Sequence, residues 1–174
     1  GLSLGEYTAL YAAGVIGFED ALRLVRKRGQ AMQAAADASE GAMVSLIGLS
    51  ADVVQELCSE AALGDILQPA NFNCPSQIVV SGTSAACERV QELAEKRGAI
   101  KAIRLEVAGA FHTDMMASAG QTLAQALECC ALLDPSPVQV LSNTTADYYP
   151  DADSIKPGLV QQLTSAILWQ GCME

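Results

Sequence analysis

The spacing of apolar positions divides the chain into segments of two kinds. From 18 to 37 the residues Phe18, Ala21, Leu22, Val25, Met32 and Ala35 recur near a 3.6-residue period, which predicts an amphipathic helix. A shorter helix is predicted over 5–14, with Gly14 and Gly17 as punctuation between the two. From Ala42 the pattern becomes strand-like as far as Leu49, after which Ser50 stands as N-cap of a helix over 51–62, with Gly64 beyond its end. Two strands follow at about 66–72 and 77–81, around a turn at Asn73-Cys74-Pro75. A helix over 84–97 closed by Gly98 and a strand over 100–107 come next. A helix is predicted over 113–131, with Met116, Leu123, Ala126, Leu127 and Cys130 on one side. A strand at 138–142 and a helix at 153–165 complete the chain, which has no repeats or low-complexity tracts.

The β-α-β-β-α-β order over about 42–106 is the split pattern of a ferredoxin-like unit. The expected class is therefore α/β, with a ferredoxin-like subdomain at 41–106 inserted into a discontinuous core made of 1–40 and 107–174.

Composition narrows the function. A chain of 174 residues that is 51% hydrophobic and 17% charged can bury a sizeable core. No apolar run approaches the roughly 18 to 20 residues of a membrane helix, so we expect no membrane association. With 10 basic and 20 acidic residues the formal charge is -10, which argues against a nucleic-acid partner. The basic residues gather in two clusters, Arg23/Arg26/Lys27/Arg28 and Arg89/Lys96/Arg97/Lys101/Arg104, either of which would attract an anionic partner. Six cysteines without a C-x-x-C pair, and a single histidine, exclude the usual zinc patterns and read as free thiols in a reducing cytoplasm. The chain lacks an initial methionine and opens directly on a candidate motif, so it reads as a fragment of a longer protein.

That motif is Gly1-Leu2-Ser3-Leu4-Gly5, or G-x-S-x-G. Alone it is compatible with an ordinary turn or with a nucleophile elbow, in which a strained serine sits where a helix begins. If Ser3 reacts, His112 is the only imidazole available to take its proton; otherwise it is a structural histidine. Arg28 lies three positions after Val25 and four before Met32, at the flank of an apolar stripe, whereas Arg23 and Lys27 point away. It is either a snorkelling arginine or an anion-binding one.

The string GLSLGEYTAL resembles the active-site segment of the malonyl-CoA:acyl carrier protein transacylases and the related acyltransferase domains of polyketide synthases. Arg28-Gly29-Gln30-Ala31-Met32, the run from Asn71 to Gly82, Val107-Ala108-Gly109-Ala110-Phe111-His112-Thr113 and Ser142-Asn143-Thr144-Thr145-Ala146 agree in order and approximate spacing, as does a late region with Gln161, Gln162 and Trp169. The resemblance covers essentially the whole chain and implies an α/β-hydrolase-like core, incomplete here. It implies that Ser3 is the nucleophile, His112 the base and the Leu4 amide an oxyanion donor. It implies further that Arg28 binds the malonyl carboxylate, that Phe111 crowds out methylmalonyl, and that a carbonyl from Gln162, or next Gln161, holds His112. The expected reaction moves malonyl from malonyl-CoA to acyl carrier protein in fatty-acid biosynthesis, in the cytoplasm, as a monomer. Coenzyme A thioester is the substrate, and no cofactor or metal is needed.

Carrier docking is expected on the basic clusters. Two departures are Leu2, where many relatives have His, and Asp114, where proline is common. The family's second oxyanion donor comes from a segment this chain does not contain, so the fragment alone is expected to be inactive. Two rivals stand beside this reading: an α/β serine hydrolase acting on thioesters, and the acyltransferase module of a polyketide synthase.

Overall fold

The computed structural model describes residues 1–174. Two helices open the chain, α1 (Leu4–Ala12) and α2 (Phe18–Asp37), followed by β1 (Gly41–Ile47), α3 (Ala51–Ala62), β2 (Leu67–Cys74), β3 (Gln77–Thr83), α4 (Ser84–Lys96) and β4 (Lys101–Arg104). A 3-10 turn at Asp114–Met116 leads into α5 (Ala117–Glu128), and α6 (Ala152–Gln162) and α7 (Trp169–Met173) end the chain.

The four strands form one antiparallel sheet in the order β2-β3-β1-β4. Because side chains alternate across a strand, Ala42, Val44 and Leu46 of β1 and Ile78 and Val80 of β3 fall on one face. There they pack with Val54, Leu57, Cys58 and Ala61 of α3 and Cys87, Val90 and Ala94 of α4. Both helices start on side-chain caps: Ser50 accepts from the Val53 amide and Thr83 from the Ala86 amide. Burial raises the Cys58 and Cys87 thiols to about 12 and about 11, so neither is a thiolate at neutral pH.

The opposite face carries Met43, Ala70 and Val79, against which Leu105 and Phe111 pack. The outer edge of β2 is closed by residues near the C-terminus, through the Ile167 amide to the Ala70 carbonyl and the Phe72 amide to the Ile167 carbonyl, both 2.9 Å. A second core, built from α1, α2, α5 and α6, is centred on Leu10, Leu24, Leu123, Ile155, Leu159 and Leu163. The molecule is thus a helical body and a sheet-and-helix body, with the functional residues between them.

Three expectations change. The helix expected over 113–131 is a 3-10 turn followed by α5, because Thr113 caps its own turn by accepting from the Met115 amide and Met116 leaves helical geometry at φ -93°, ψ 10°. The strand expected at 138–142 is reduced to one bridge between Leu141 and Tyr148 across a tight turn, since no second strand lies beside it. The strand expected over 100–107 pairs only as far as Arg104, apart from a single bond from the Leu105 amide to the Met43 carbonyl.

Gly82 marks the closest approach of β3 to the start of β2. A Cβ there would stand 2.0 Å from the Ile66 carbonyl oxygen and 2.8 Å from the Leu67 Cα. Both neighbours are backbone and cannot swing aside, so Gly82→Ala is expected to destabilise the protein by about 3 kcal/mol, read as a lower urea midpoint at unchanged slope.

Candidate active site

Ser3 occupies the turn that enters α1 and is held at φ 51°, ψ -96°, a conformation that costs an L-residue energy. Tertiary contacts hold it there. Its amide donates to Asn143 Oδ1 at 2.6 Å, and its carbonyl accepts from Gln162 Nε2 at 3.1 Å. The hydroxyl consequently projects between two side chains from distant parts of the chain: Ser3 Oγ lies 3.0 Å from His112 Nε2 and accepts from Arg28 Nη2 at 2.6 Å.

The tautomer of His112 follows from its second contact. Nδ1 lies 2.7 Å from the main-chain oxygen of Gln162, which can only accept, so Nδ1 carries the hydrogen and Nε2 presents a lone pair to Ser3. Burial pulls the imidazole down to about 4, helped by the nearby Arg28 charge and opposed by the Gln162 bond. At neutral pH His112 is therefore an unprotonated base aimed at a hydroxyl. It too has a positive φ, 61°, and its carbonyl accepts from Gln68 Nε2 at 3.3 Å, tying it to β2.

Arg28 is 6% exposed, although it belongs to a helix whose next residue on either side is in solvent. Its guanidinium lies 5.5 Å from the centre of the Tyr7 ring and donates to Gln162 Oε1 at 3.2 Å. Burial lowers its pKa from the usual arginine value. No carboxylate pairs with it: the six ion pairs of the chain involve Arg23, Arg89, Arg97 and Arg104, and Arg28 Nε has no partner at all. A buried cation lacking a counter-ion, with a donor to spare, fits an incoming anion.

These groups open onto a cleft of about 490 Å³ between the two bodies, walled by Met32 and Gln33 of α2, Met43 of β1, Asn71 of β2, and Phe111. Leu4, expected to supply an oxyanion donor, is the first residue of α1, so its amide has no acceptor within the helix and the helix dipole reinforces it. Of the two late glutamines it is Gln162 that meets His112, with Gln161 exposed on the surface. Ser3, Leu4, Arg28, Phe111, His112 and Gln162 are thus brought to one place.

Four residues that the sequence did not single out join them. Glu6 is 1% exposed and accepts from the Asn143 amide, from Gln162 Nε2 and from the Tyr149 hydroxyl. Asn143 and Gln68 fix Ser3 and His112. A signal for Glu6 existed: it lies three residues after Ser3 and four before the buried Leu10, on the inward face of α1.

Away from the cleft, the basic clusters are partly neutralised. Arg23 meets Glu19 and Asp20, Arg89 meets Asp65, Arg97 meets Glu56 and Glu60, and Arg104 meets Glu88. Arg26, Lys27, Lys96 and Lys101 remain exposed without an ion pair. No group of three His, Cys, Asp or Glu side chains could hold a metal, and no helix is long and apolar enough to cross a membrane.

A serine hydroxyl in contact with an imidazole, with the serine strained at a helix start, is the arrangement that serine-nucleophile chemistry uses. The chain belongs to the acyl transferase domain family, whose sequence profile matches residues 1–171. It is 43% identical over 171 residues to the malonyl CoA-acyl carrier protein transacylase of Bacillus subtilis (strain 168), covering 98% of this chain and 54% of that protein. To the protein of the same name from Escherichia coli (strain K12) it is 39% identical over 174 residues, covering all of this chain and 56% of the relative. Among solved structures, an acyl carrier protein S-malonyltransferase from Vibrio cholerae superposes with a TM-score of 0.95 at 40% identity, over 99% of this chain and 56% of that one. A malonyl-transacylase solved in complex with a type II polyketide synthase acyl carrier protein gives a TM-score of 0.93 at 39% identity, over 97% of this chain and 54% of that one. The chain spans about half the length of the curated relatives it matches.

The depressed His112 pKa has a measurable consequence. Its folded value of about 4 lies below the unfolded value of about 6.5, so between these the unfolded state binds the extra proton and stability is lost as pH falls through that window. Relative to a His112→Gln variant, the wild-type protein should lose about 3 kcal/mol between pH 7 and pH 4, measured by urea unfolding across that range.

Proposed function

We propose that the protein containing this chain transfers a malonyl group from malonyl-CoA to the phosphopantetheine thiol of an acyl carrier protein, through an ester on Ser3. The observation that carries this reading is the Ser3 hydroxyl held at once by a neutral imidazole at 3.0 Å and by a buried guanidinium without a counter-ion at 2.6 Å. The first contact suits acyl transfer, and the second suits an acyl group that ends in a carboxylate.

In the first half-reaction His112 Nε2 takes the Ser3 proton as Oγ attacks the thioester carbonyl carbon. The carbonyl oxygen becomes an oxyanion that the Leu4 amide faces. Collapse breaks the carbon–sulfur bond, and coenzyme A leaves with the proton from His112. In the second, the carrier thiol gives its proton to His112 and attacks the Ser3 ester, and the proton returns to Ser3 Oγ. Arg28 exchanges its contact with Oγ for the malonyl carboxylate, using the unpartnered Nε as a second donor. Phe111, beside His112 in the cleft wall, leaves little room for a branched acyl group. The proton cycle closes without a cofactor.

We read the sheet-and-helix body, 41–106, as a ferredoxin-like subdomain inserted into an α/β-hydrolase-like core formed by 1–40 and 107–174. The order β1-α3-β2-β3-α4-β4 and the strand order β2-β3-β1-β4 support the first assignment, and Ser3 at a strained turn before α1 supports the second. We read the protein as acting as a monomer. The cytoplasm is where coenzyme A thioesters and carrier proteins meet, in fatty-acid biosynthesis. Docking of the carrier falls to the unpaired Arg26, Lys27, Lys96 and Lys101.

Two experiments on the protein containing this chain test the reading. Incubation with malonyl-CoA should give a malonyl adduct on the peptide carrying Ser3, and Ser3→Ala should abolish it; malonate released to water with no transfer to carrier would indicate a hydrolase instead. Arg28→Ala should lower the preference for malonyl over acetyl transfer by about 10- to 100-fold, equivalent to ~1.5–3 kcal/mol, and an equal loss for both groups would show that another residue holds the carboxylate.

A further inference from the structure

Glu6 is an acidic side chain with almost no solvent exposure whose three hydrogen-bond donors come from the turn between α5 and α6 and from the end of α6. Oε1 accepts from the Tyr149 hydroxyl, while Oε2 accepts from the Asn143 amide at 3.0 Å and from Gln162 Nε2 at 2.7 Å. It touches neither Ser3 Oγ, nor His112, nor the Arg28 guanidinium through any hydrogen bond. What it contacts is the residue that bonds to all three of those amino acids: Gln162 accepts from His112 Nδ1 on its main-chain oxygen, donates from Nε2 to the Ser3 carbonyl and accepts from Arg28 Nη2 on Oε1.

An amide side chain can be turned by 180° with little change of shape, exchanging its donor and acceptor ends. A carboxylate has no such freedom, because it only accepts. With Glu6 and the Ser3 carbonyl both requiring a donor, the NH2 end of Gln162 must face them, and the oxygen end is left to face Arg28. Were the amide reversed, two acceptors would confront its oxygen and the guanidinium would confront an NH2 group, an arrangement with no hydrogen bonds in a buried space.

We propose that Glu6 is a positioning residue that fixes the orientation of the Gln162 amide and through it aims Arg28 at the acid end of the acyl group. The proposal rests on the reading above that Arg28 receives a carboxylate. Tyr149 and Asn143 complete the device by anchoring the carboxylate from its other sides. The Asn143 side chain meanwhile holds the Ser3 amide at 2.6 Å, so the nucleophile and the anion receptor share one frame.

The test compares Glu6→Asp with Glu6→Gln in the protein containing this chain, measuring malonyl and acetyl transfer and the thermal midpoint for each. Aspartate keeps the charge but withdraws the oxygens by about 1.5 Å, beyond reach of Gln162. The preference for malonyl over acetyl should fall at least about tenfold, malonyl transfer losing that much more than acetyl transfer. Glutamine keeps an oxygen where Oε2 stands and should retain the preference within about threefold. A Glu6→Asp protein with the wild-type preference, or one slowed equally for both acyl groups along with a lower thermal midpoint, would overturn the proposal and leave Glu6 a structural residue. Should Glu6→Asp fail to fold, Gln162→Met must reproduce the loss of preference, and an unchanged preference there overturns it equally. Arg28→Ala separates the two levels: if it leaves the preference intact, the carboxylate reading fails; if it abolishes the preference while Glu6→Asp does not, only the positioning role fails.

Discussion

One hydroxyl has to lie between an imidazole and a guanidinium, and much of the chain is arranged around that requirement. Ser3 reaches the position only by adopting a left-handed backbone conformation at the mouth of α1, which the turn by itself would not favour. The cost is offset by groups that arrive from the far end of the chain, Asn143 on its amide and Gln162 on its carbonyl. The buried Glu6 sits beneath this arrangement, placing a negative charge close to the unpaired Arg28 without neutralising it by direct contact.

The two bodies divide the work. The sheet buries one face under α3 and α4, which gives it a core of its own. Its other face is left to meet α2 and the His112 loop. Gln68 of β2 then reaches the His112 carbonyl, and Ile167 closes the edge of β2, so His112 is braced by the sheet while Ser3 belongs to the helices. The cleft lies at the seam because that is where both bodies present side chains without burying them completely.

Much of this architecture is legible in the order of residues. Helix α2 shows its apolar stripe, α3 its cap Ser50, α4 its closing Gly98, and β1 and β3 their short apolar runs, because these features are local. The segment 138–142 misleads because Val138, Val140 and Leu141 look like a strand, yet a strand needs a neighbour to receive its hydrogen bonds, and only Tyr148 offers one. The break between the 3-10 turn and α5 escapes notice because it depends on Thr113 folding its hydroxyl back onto its own turn. In the site, Ser3, Arg28 and His112 stand out through motifs; Glu6 and Asn143 lie inside motifs that point to no role for them, and Tyr149 and Gln68 lie outside. Their partners lie 44 to 156 positions away, and no periodicity encodes a contact at that range.

Arg28 and His112 are also linked electrically, and the link gives the site a direction. Burial is the main reason His112 resists protonation, but the neighbouring guanidinium adds to it, since a proton on the imidazole would place a second positive charge in the same dry space. An anion paired with Arg28 cancels that contribution. The imidazole would then bind a proton more readily, which on the proposed mechanism is when the Ser3 hydroxyl gives one up, whereas an uncharged group would leave its basicity unchanged. A carboxylate in the cleft would thus be recognised twice, once by the donors that hold it and once by the basicity it restores. The second effect requires no contact between the anion and the histidine, only that both lie within reach of the same buried cation.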